Sequence, residues 1–385
     1  MERPEAWRTA VIAIALVALW RIIAVNAVSY DVTGHPVAAG AGNPGQLAAR
    51  VNANPGDVYA LVALARAEAG RGDASRAGAQ LTAAAGIAPI EPIALEAEAE
   101  SLFARGEVAQ GAARLSTLAT TYGNYDRWFP VFGRLLAARD PALPRIAAGN
   151  PKWLGAFILD QCAKGADPVM LASLLQFRGT GEARAQPAEI DCVTERLRAS
   201  GRWPQAYQAW LNSLPRERLA NVGFVFNGSF EYPASGVGFD WKPDPAPERS
   251  SGHVNELAPS REGRGERALR VTYTGKRQVA PAITQYLSVP PGGYELAGWA
   301  RVDHLNSPRG VQWIVRCGSD EKMAVIGSSE RFLGSSEWRR FAFDVDVPAA
   351  CAGQILQLEP VGMNQGTTFL AGTVWFDDLR LSLRR

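Results

Sequence analysis

The last apolar run of the chain carries the residues whose types and spacing most demand a chemical explanation. In Gly372-Thr373-Val374-Trp375-Phe376-Asp377-Asp378-Leu379-Arg380-Leu381-Ser382-Leu383, strict alternation puts Trp375, Asp377, Leu379, Leu381 and Leu383 on one side of a strand. Phe376, Asp378 and Arg380 fall on the other. A carboxylate among Trp and Leu is costly to bury unless a cation or several donors compensate it. Asp377 therefore either ligates a metal ion or accepts hydrogen bonds from backbone amides. Asp377 and Asp378 are adjacent on this strand, so they face opposite sides and cannot flank one glycosidic bond together. The histidines His35, His253 and His304 share no ligand spacing with one another or with a cysteine, which argues against zinc and against a Ser-His-Asp set. Neither a Gly-x-Ser-x-Gly elbow nor a Gly-x-x-x-x-Gly-Lys-Ser/Thr phosphate loop occurs.

What must position such residues is a large, multidomain chain. Its 385 residues suffice for two or three domains, and 47% hydrophobic against 20% charged residues allow sizeable cores. Forty basic and 38 acidic residues leave a net charge of +2, which gives no electrostatic case for a nucleic acid partner.

The amino terminus reads as an export signal. Ala10 to Trp20 is apolar and continues through Arg21 to Val28, reaching about the 20 residues that span a bilayer. Two exported readings compete: a signal anchor with Arg3 and Arg8 on the cytoplasmic side, or a cleaved signal peptide ending at Val25-Asn26-Ala27; charge flanking and the terminal position argue against the third, a buried soluble helix. The anchor over residues 1–30 is preferred. It makes the membrane a partner and places the bulk of the chain in the periplasm, tethered to a bacterial inner membrane by one pass. Cysteine usage agrees. Cys162 and Cys192 lie in the helical region, and Cys317 and Cys351 in the strand region. One disulfide in each region suits an oxidising compartment, with four buried free thiols as the alternative.

Residues 31–45 are rich in Gly, Ala and Pro and read as a linker. From 46 to 218 the pattern is helical, with a 34-residue repeat in its first part. Pro55 recurs as Pro89, and Gly72-Asp73 as Gly106-Glu107; Leu61, Ala65 and Leu81 recur as Leu95, Ala99 and Leu115. These residues resemble the tetratricopeptide repeat, well over 54–119 and weakly over Glu189 to Pro215, with an irregular stretch broken by Pro130, Pro141, Pro144 and Pro151 between. The resemblance implies an α-solenoid. Such a solenoid either docks an envelope protein partner in its groove or serves as a spacer.

From about Asn221 helical spacing gives way to short alternating runs between Gly and Pro turns. Phe341, Phe343, Val345 and Val347 face inward, and Leu269 to Tyr273, Gly293 to Val302, Gly310 to Cys317, Gln354 to Glu359 and Thr373 to Leu383 alternate in the same way. With Val225 to Glu231 this makes about seven or eight strands, suited to an antiparallel sandwich over 221–385. Asn227-Gly228-Ser229-Phe230-Glu231, Phe239-Asp240-Trp241, Ala268-Leu269-Arg270-Val271, Pro291-Gly292-Gly293-Tyr294, Trp338-Arg339-Arg340-Phe341 and Phe376-Asp377-Asp378-Leu379 follow in order. In that order they resemble the jelly-roll carbohydrate-binding modules of families four, nine and twenty-two, within the galactose-binding-like superfamily. The resemblance implies glycan binding without cleavage. It also implies a structural calcium between the opening Asn-Gly-x-Phe-Glu segment and the closing Asp-Asp strand, with Glu231 and Asp377 as side-chain ligands and backbone carbonyls supplying the rest.

A glycan site needs aromatic faces for stacking and planar polar groups for hydroxyls. Alternation points Trp299 and Arg301 away from the core, and likewise Gln312 and Arg316; Gln357 joins them as the candidate patch. Trp299 packed beneath a loop or against the helical domain is the competing reading. Trp241, Trp338 and Trp375 are assigned to the core. The expectation is a non-catalytic, membrane-anchored envelope protein that binds polysaccharide in surface-polysaccharide assembly or export. The rivals are a scaffold with a ligand-free sandwich and a glycoside hydrolase working through scattered carboxylates.

Overall fold

The computed structural model describes residues 43–178, 184–220, 222–243, 252–260, 265–278, 281–362 and 369–384. The proposed anchor over 1–30 and nearly all of the linker lie outside the described residues. Among the described residues no helix is long and apolar enough to cross a membrane. The chain divides into two compact units, Met1–Trp153 and Leu154–Arg385.

The first unit is helical. It contains α1 (Pro44–Ala53), α2 (Val58–Ala69), α3 (Ala74–Ile87), α4 (Pro92–Ala104), α5 (Val108–Tyr122), α6 (Tyr125–Ala137) and α7 (Ala142–Ala147). Asp57 and Asp73 cap α2 and α3 by accepting from the amides of Ala60 and Arg76 at 3.0 and 3.1 Å. Gly72 and Gly106 take φ of +90° and +77° in the turns between α2 and α3 and between α4 and α5, a backbone shape that favours glycine. Helices α2 and α4 begin 34 residues apart, as do α3 and α5. The repeating Leu61, Ala65, Leu81, Leu95, Ala99 and Leu115 are all buried. Fully buried Ala60, Ala65, Ala84, Ala94 and Ala112 carry no bulk beyond Cβ, which lets neighbouring helices approach closely. Contrary to the expectation from sequence, Pro130 does not break its helix but sits inside α6.

The second unit joins α8 (Leu154–Ala163), α9 (Pro168–Leu175), α10 (Pro187–Ala199), α11 (Trp203–Ser213) and α12 (Arg216–Leu219) to ten strands among the described residues. These are β1 (Lys242–Pro243), β2 (His253–Pro259), β3 (Arg267–Arg277), β4 (Ile283–Leu287), β5 (Gly292–Asn306), β6 (Val311–Cys317), β7 (Val325–Ser328), β8 (Gly334–Val347), β9 (Gln354–Pro360) and β10 (Phe369–Leu383). They form two five-stranded antiparallel sheets, β1-β4-β9-β6-β7 (sheet I) and β2-β3-β10-β5-β8 (sheet II). From β3 to β10, pairing β4-β9-β6-β7 against β3-β10-β5-β8 is the strand order of a jelly roll, and β1 and β2 extend one edge of each sheet. Val225 to Glu231 is not a strand, contrary to the alternation; it is a turn in which Asn227 and Phe230 adopt φ of +50° and +54°. Between the sheets lies a core that includes Trp241, Trp313, Phe332, Phe341, Leu356, Leu358 and Phe376.

The helices from Leu154 onward fold with the sandwich because their aromatic residues have partners there. Trp210 meets Phe226 edge-on with centroids 5.0 Å apart, Tyr207 meets Phe239 at 5.2 Å, and Trp203 meets Tyr286 at 5.8 Å. Arg198 stacks over Tyr286 at 3.7 Å, and Asp191 accepts from the amide of Gly238 at 2.8 Å. Both disulfides lie in this unit. Cys162–Cys192 ties α8 to α10, and Cys317–Cys351 ties the end of β6 to the loop before β9. Both pairs are those expected from the sequence.

Candidate functional site

Asp377 is fully buried, as its sequence context requires, but the strand reaches that state differently. The apolar residues of β10 that face the core are Leu370, Val374, Phe376, Leu379 and Leu381. Phe376 and Leu379 are separated by two residues rather than one, so strict alternation fails between them. The register of β10 against β5 shifts between Asp377 and Arg380, and Asp378 adopts φ of +53°. This is a β-bulge, which inserts an extra residue and re-aims the side chains on either side of it. Asp377 sits in the bulge and accepts the amide of Asp378 at 2.7 Å. The Asn227 turn docks on the same place. The amide of Leu379 donates to the carbonyl of Gly228 at 2.9 Å, and a Cβ on Gly228 would run into the Leu379 carbonyl.

Glu231 is half-buried and accepts the amide of Glu266 at 3.0 Å. Carboxylates and backbone carbonyls are the hard oxygen donors that suit calcium. Among the described residues no group of three or more His, Cys, Asp or Glu is placed to hold a metal. A calcium held by Glu231 and Asp377 would therefore draw most of its about six to eight oxygens from the backbone.

The bulge also overturns the core assignment of Trp375. With Val374 and Phe376 inward, Trp375 points to the outer face of sheet II, where it is only partly buried. Trp338 is likewise outward and partly buried, while Trp241 is fully enclosed as expected. The signal for Trp338 is present in the sequence: it shares the parity of Arg340, opposite to that of Phe341 and Phe343. For Trp375 the signal is the two-residue gap between the apolar residues Phe376 and Leu379.

The candidate patch is split by the tertiary structure. Trp299 and Arg301 lie on the outer face of sheet II through β5, whereas Gln312, Arg316 and Gln357 lie on the outer face of sheet I through β6 and β9. On sheet I the polar groups pair with one another. Arg316 donates to Glu359 at 2.8 Å, and Gln357 donates to Thr284 Oγ1 at 3.3 Å. Burial pushes the Glu359 carboxyl above the usual carboxylate range, and the Arg316 guanidinium pulls it back. One end of this face is covered by α11, since a Cβ at Gly353 would collide with the Trp203 ring.

The outer face of sheet II is arranged otherwise. Trp375 on β10 is the cross-strand partner of Arg270 on β3 and of Arg301 on β5. Arg270 lies 5.2 Å from the Trp375 ring centroid, within cation–π range, and is ion-paired to its own cross-strand neighbour Glu256. Arg270, Arg301, Trp338 and Trp375, with Ala258 and Pro259, line a single depression. Trp299 stands two residues from Arg301 on the same face and is the cross-strand partner of Asp377 and Arg340. Arg270, Trp338 and Trp375 share this face with Trp299 and Arg301 and are not part of the candidate patch.

No protein-family model matches the chain, and no curated protein matches it. Among solved structures the chain is similar to a CBM4 structure, with 16% identity and a TM-score of 0.31, over 42% of this chain and 99% of that one. It is also similar to the CBM22-1 xylan-binding domain from Paenibacillus barcinonensis, with 13% identity and a TM-score of 0.28 over 40% and 91% of the two chains. A third similar structure is TmCBM61 in complex with β-1,4-galactotriose, with 13% identity and a TM-score of 0.26 over 42% and 99%.

Proposed function

We propose that this chain is a non-catalytic polysaccharide-binding protein of the bacterial envelope, held at the inner membrane by its amino terminus, with its glycan site on the outer face of sheet II. The observation that carries the reading is the depression there, where two indoles and two guanidinium groups share one sheet surface. Indole faces stack on sugar rings, and guanidinium forks bond to sugar oxygens. The helical unit, with helix starts recurring at 34 residues, acts in this reading as a tetratricopeptide-like scaffold for an envelope protein partner. Two disulfides within one unit support an oxidising compartment.

Electrophoresis of the full chain through gels containing different polysaccharides tests this. The double variant Trp338→Ala, Trp375→Ala is expected to lose at least about tenfold in affinity, or about 1.4 kcal/mol, with an unchanged circular dichroism spectrum. Retardation that persists undiminished in the double variant would remove the site from this face.

A structural calcium at the Asn227 turn and the Asp377 bulge belongs to the same proposal, with Glu231 and Asp377 contributing their carboxylates. A cation held at about one hundred times its Kd adds about 2.7 kcal/mol to stability. Chelation by EDTA is then expected to lower the Tm by about 5–10 °C, recovered on adding calcium. A Tm indifferent to both additions would eliminate the ion.

A further inference from the structure

The hydrogen-bonding inventory of the depression is one-sided. Among the described residues its lining side chains are Ala258, Pro259, Arg270, Arg301, Trp338 and Trp375. Alanine and proline side chains offer no polar atoms. Arginine offers only donors, and so does the indole nitrogen of tryptophan. The adjacent carboxylate, Glu256, is already occupied by Arg270. Arg301 has no carboxylate within ion-pair distance among the described residues, although it is partly shielded from water beside Trp375.

A neutral sugar hydroxyl both donates and accepts, and a site for it commonly mixes the two roles through amides and carboxylates. A lining that only donates is complementary to a group that only accepts. It also leaves the Arg301 guanidinium without a carboxylate partner among the described residues, beside apolar ring surface that raises the strength of a charge-assisted bond. From this we infer that the sheet II depression takes an anionic glycan, with a carboxylate or sulfate group seated on Arg301 and a sugar ring lying against Trp375 or Trp338. This rests on the reading of that face as the glycan site and names the class of glycan.

The test measures retardation of the full chain by polygalacturonate, dextran sulfate and neutral dextran, at low and moderate salt, for the wild type, Arg301→Gln and Arg340→Gln. Arg340 is on the same sheet but is ion-paired with Glu295, so it controls for general attraction of polyanions. The expected result is retention by one or both polyanions and not by dextran, weakened at least about tenfold by Arg301→Gln and little by Arg340→Gln, and reduced by salt. Retention by polygalacturonate alone assigns the carboxylate, and by dextran sulfate alone the sulfate. Equal loss in the two arginine variants would overturn the inference. So would retention by dextran that needs Trp338 and Trp375 but not Arg301, an outcome that leaves the glycan face itself standing. Absence of retention by any of the three polymers would overturn both.

Discussion

Reducing both disulfides is expected to remove about 7 kcal/mol from the stability of the second unit. Each bond closes a separate loop, with sequence separations of 30 for Cys162–Cys192 and 34 for Cys317–Cys351. Loops of this size restrict the unfolded chain by about 3–4 kcal/mol apiece, and because the two loops do not overlap their effects should add. Against a typical domain stability of about 5–15 kcal/mol, that is a large share of the total. Urea unfolding of the full chain, followed through its β-sheet infrared band with and without dithiothreitol, would show it. With a slope of about 3 kcal/mol/M, the midpoint should fall by about 2 M. Replacing Cys317 and Cys351 together by Ser should give about half the shift. A midpoint that ignores the reductant would mean that these bonds do not hold the unit together. It would also remove the disulfides as support for an exported protein.

Trp203→Ala is expected to cost about 3–5 kcal/mol, the range for truncating a large buried aromatic residue. Trp203 is only 3% exposed although it is the first residue of its helix. Its ring lies close against the backbone at Gly353 and Gly318, where any Cβ would clash with it, and it packs on Phe239 and Tyr286. Removing it opens a cavity bounded partly by the backbone just past the end of β6 and just before β9, where the amide of Gly318 donates to the carbonyl of Gly353 at 2.8 Å and holds the two segments in place. The loss should appear in amide hydrogen exchange as faster opening in both α11 and β9, since the residue joins the two. By contrast Trp338→Ala, at a partly exposed position, should change stability much less while affecting the proposed glycan site. If Trp203→Ala left exchange in β9 untouched, the helices and the sheet would be separate cooperative elements despite their contacts.

The division of the chain was only partly legible in advance. The change from helical to alternating pattern near residue 221 is real, and α11 ends before it and β1 begins after it. Yet the compact units divide at Trp153. Periodicity shows where one kind of element gives way to another. It does not show which surfaces will bury Trp203, Tyr207 and Trp210, because their partners Phe226, Phe239 and Tyr286 come later in the chain.

What the sequence determined by itself was local. A period of 34 with alanine at the crossings fixed α2 to α5, and period-two alternation fixed the inward faces of β5, β6 and β8. It also found a carboxylate that had to be enclosed at residue 377. Tertiary structure decided the phase of β10, which the two-residue gap between Phe376 and Leu379 signals only in part: a bulge beneath the docked Asn227 turn leaves Val374 and Phe376 inward and Trp375 outward. It also decided that Arg301 shares a surface with Trp375 and Trp338 rather than with Gln312, Arg316 and Gln357. Alternation tells which residues of a strand point away from the core. Which of two sheets the strand joins, and so which outward residues become neighbours, is set by pairing between segments far apart in the chain.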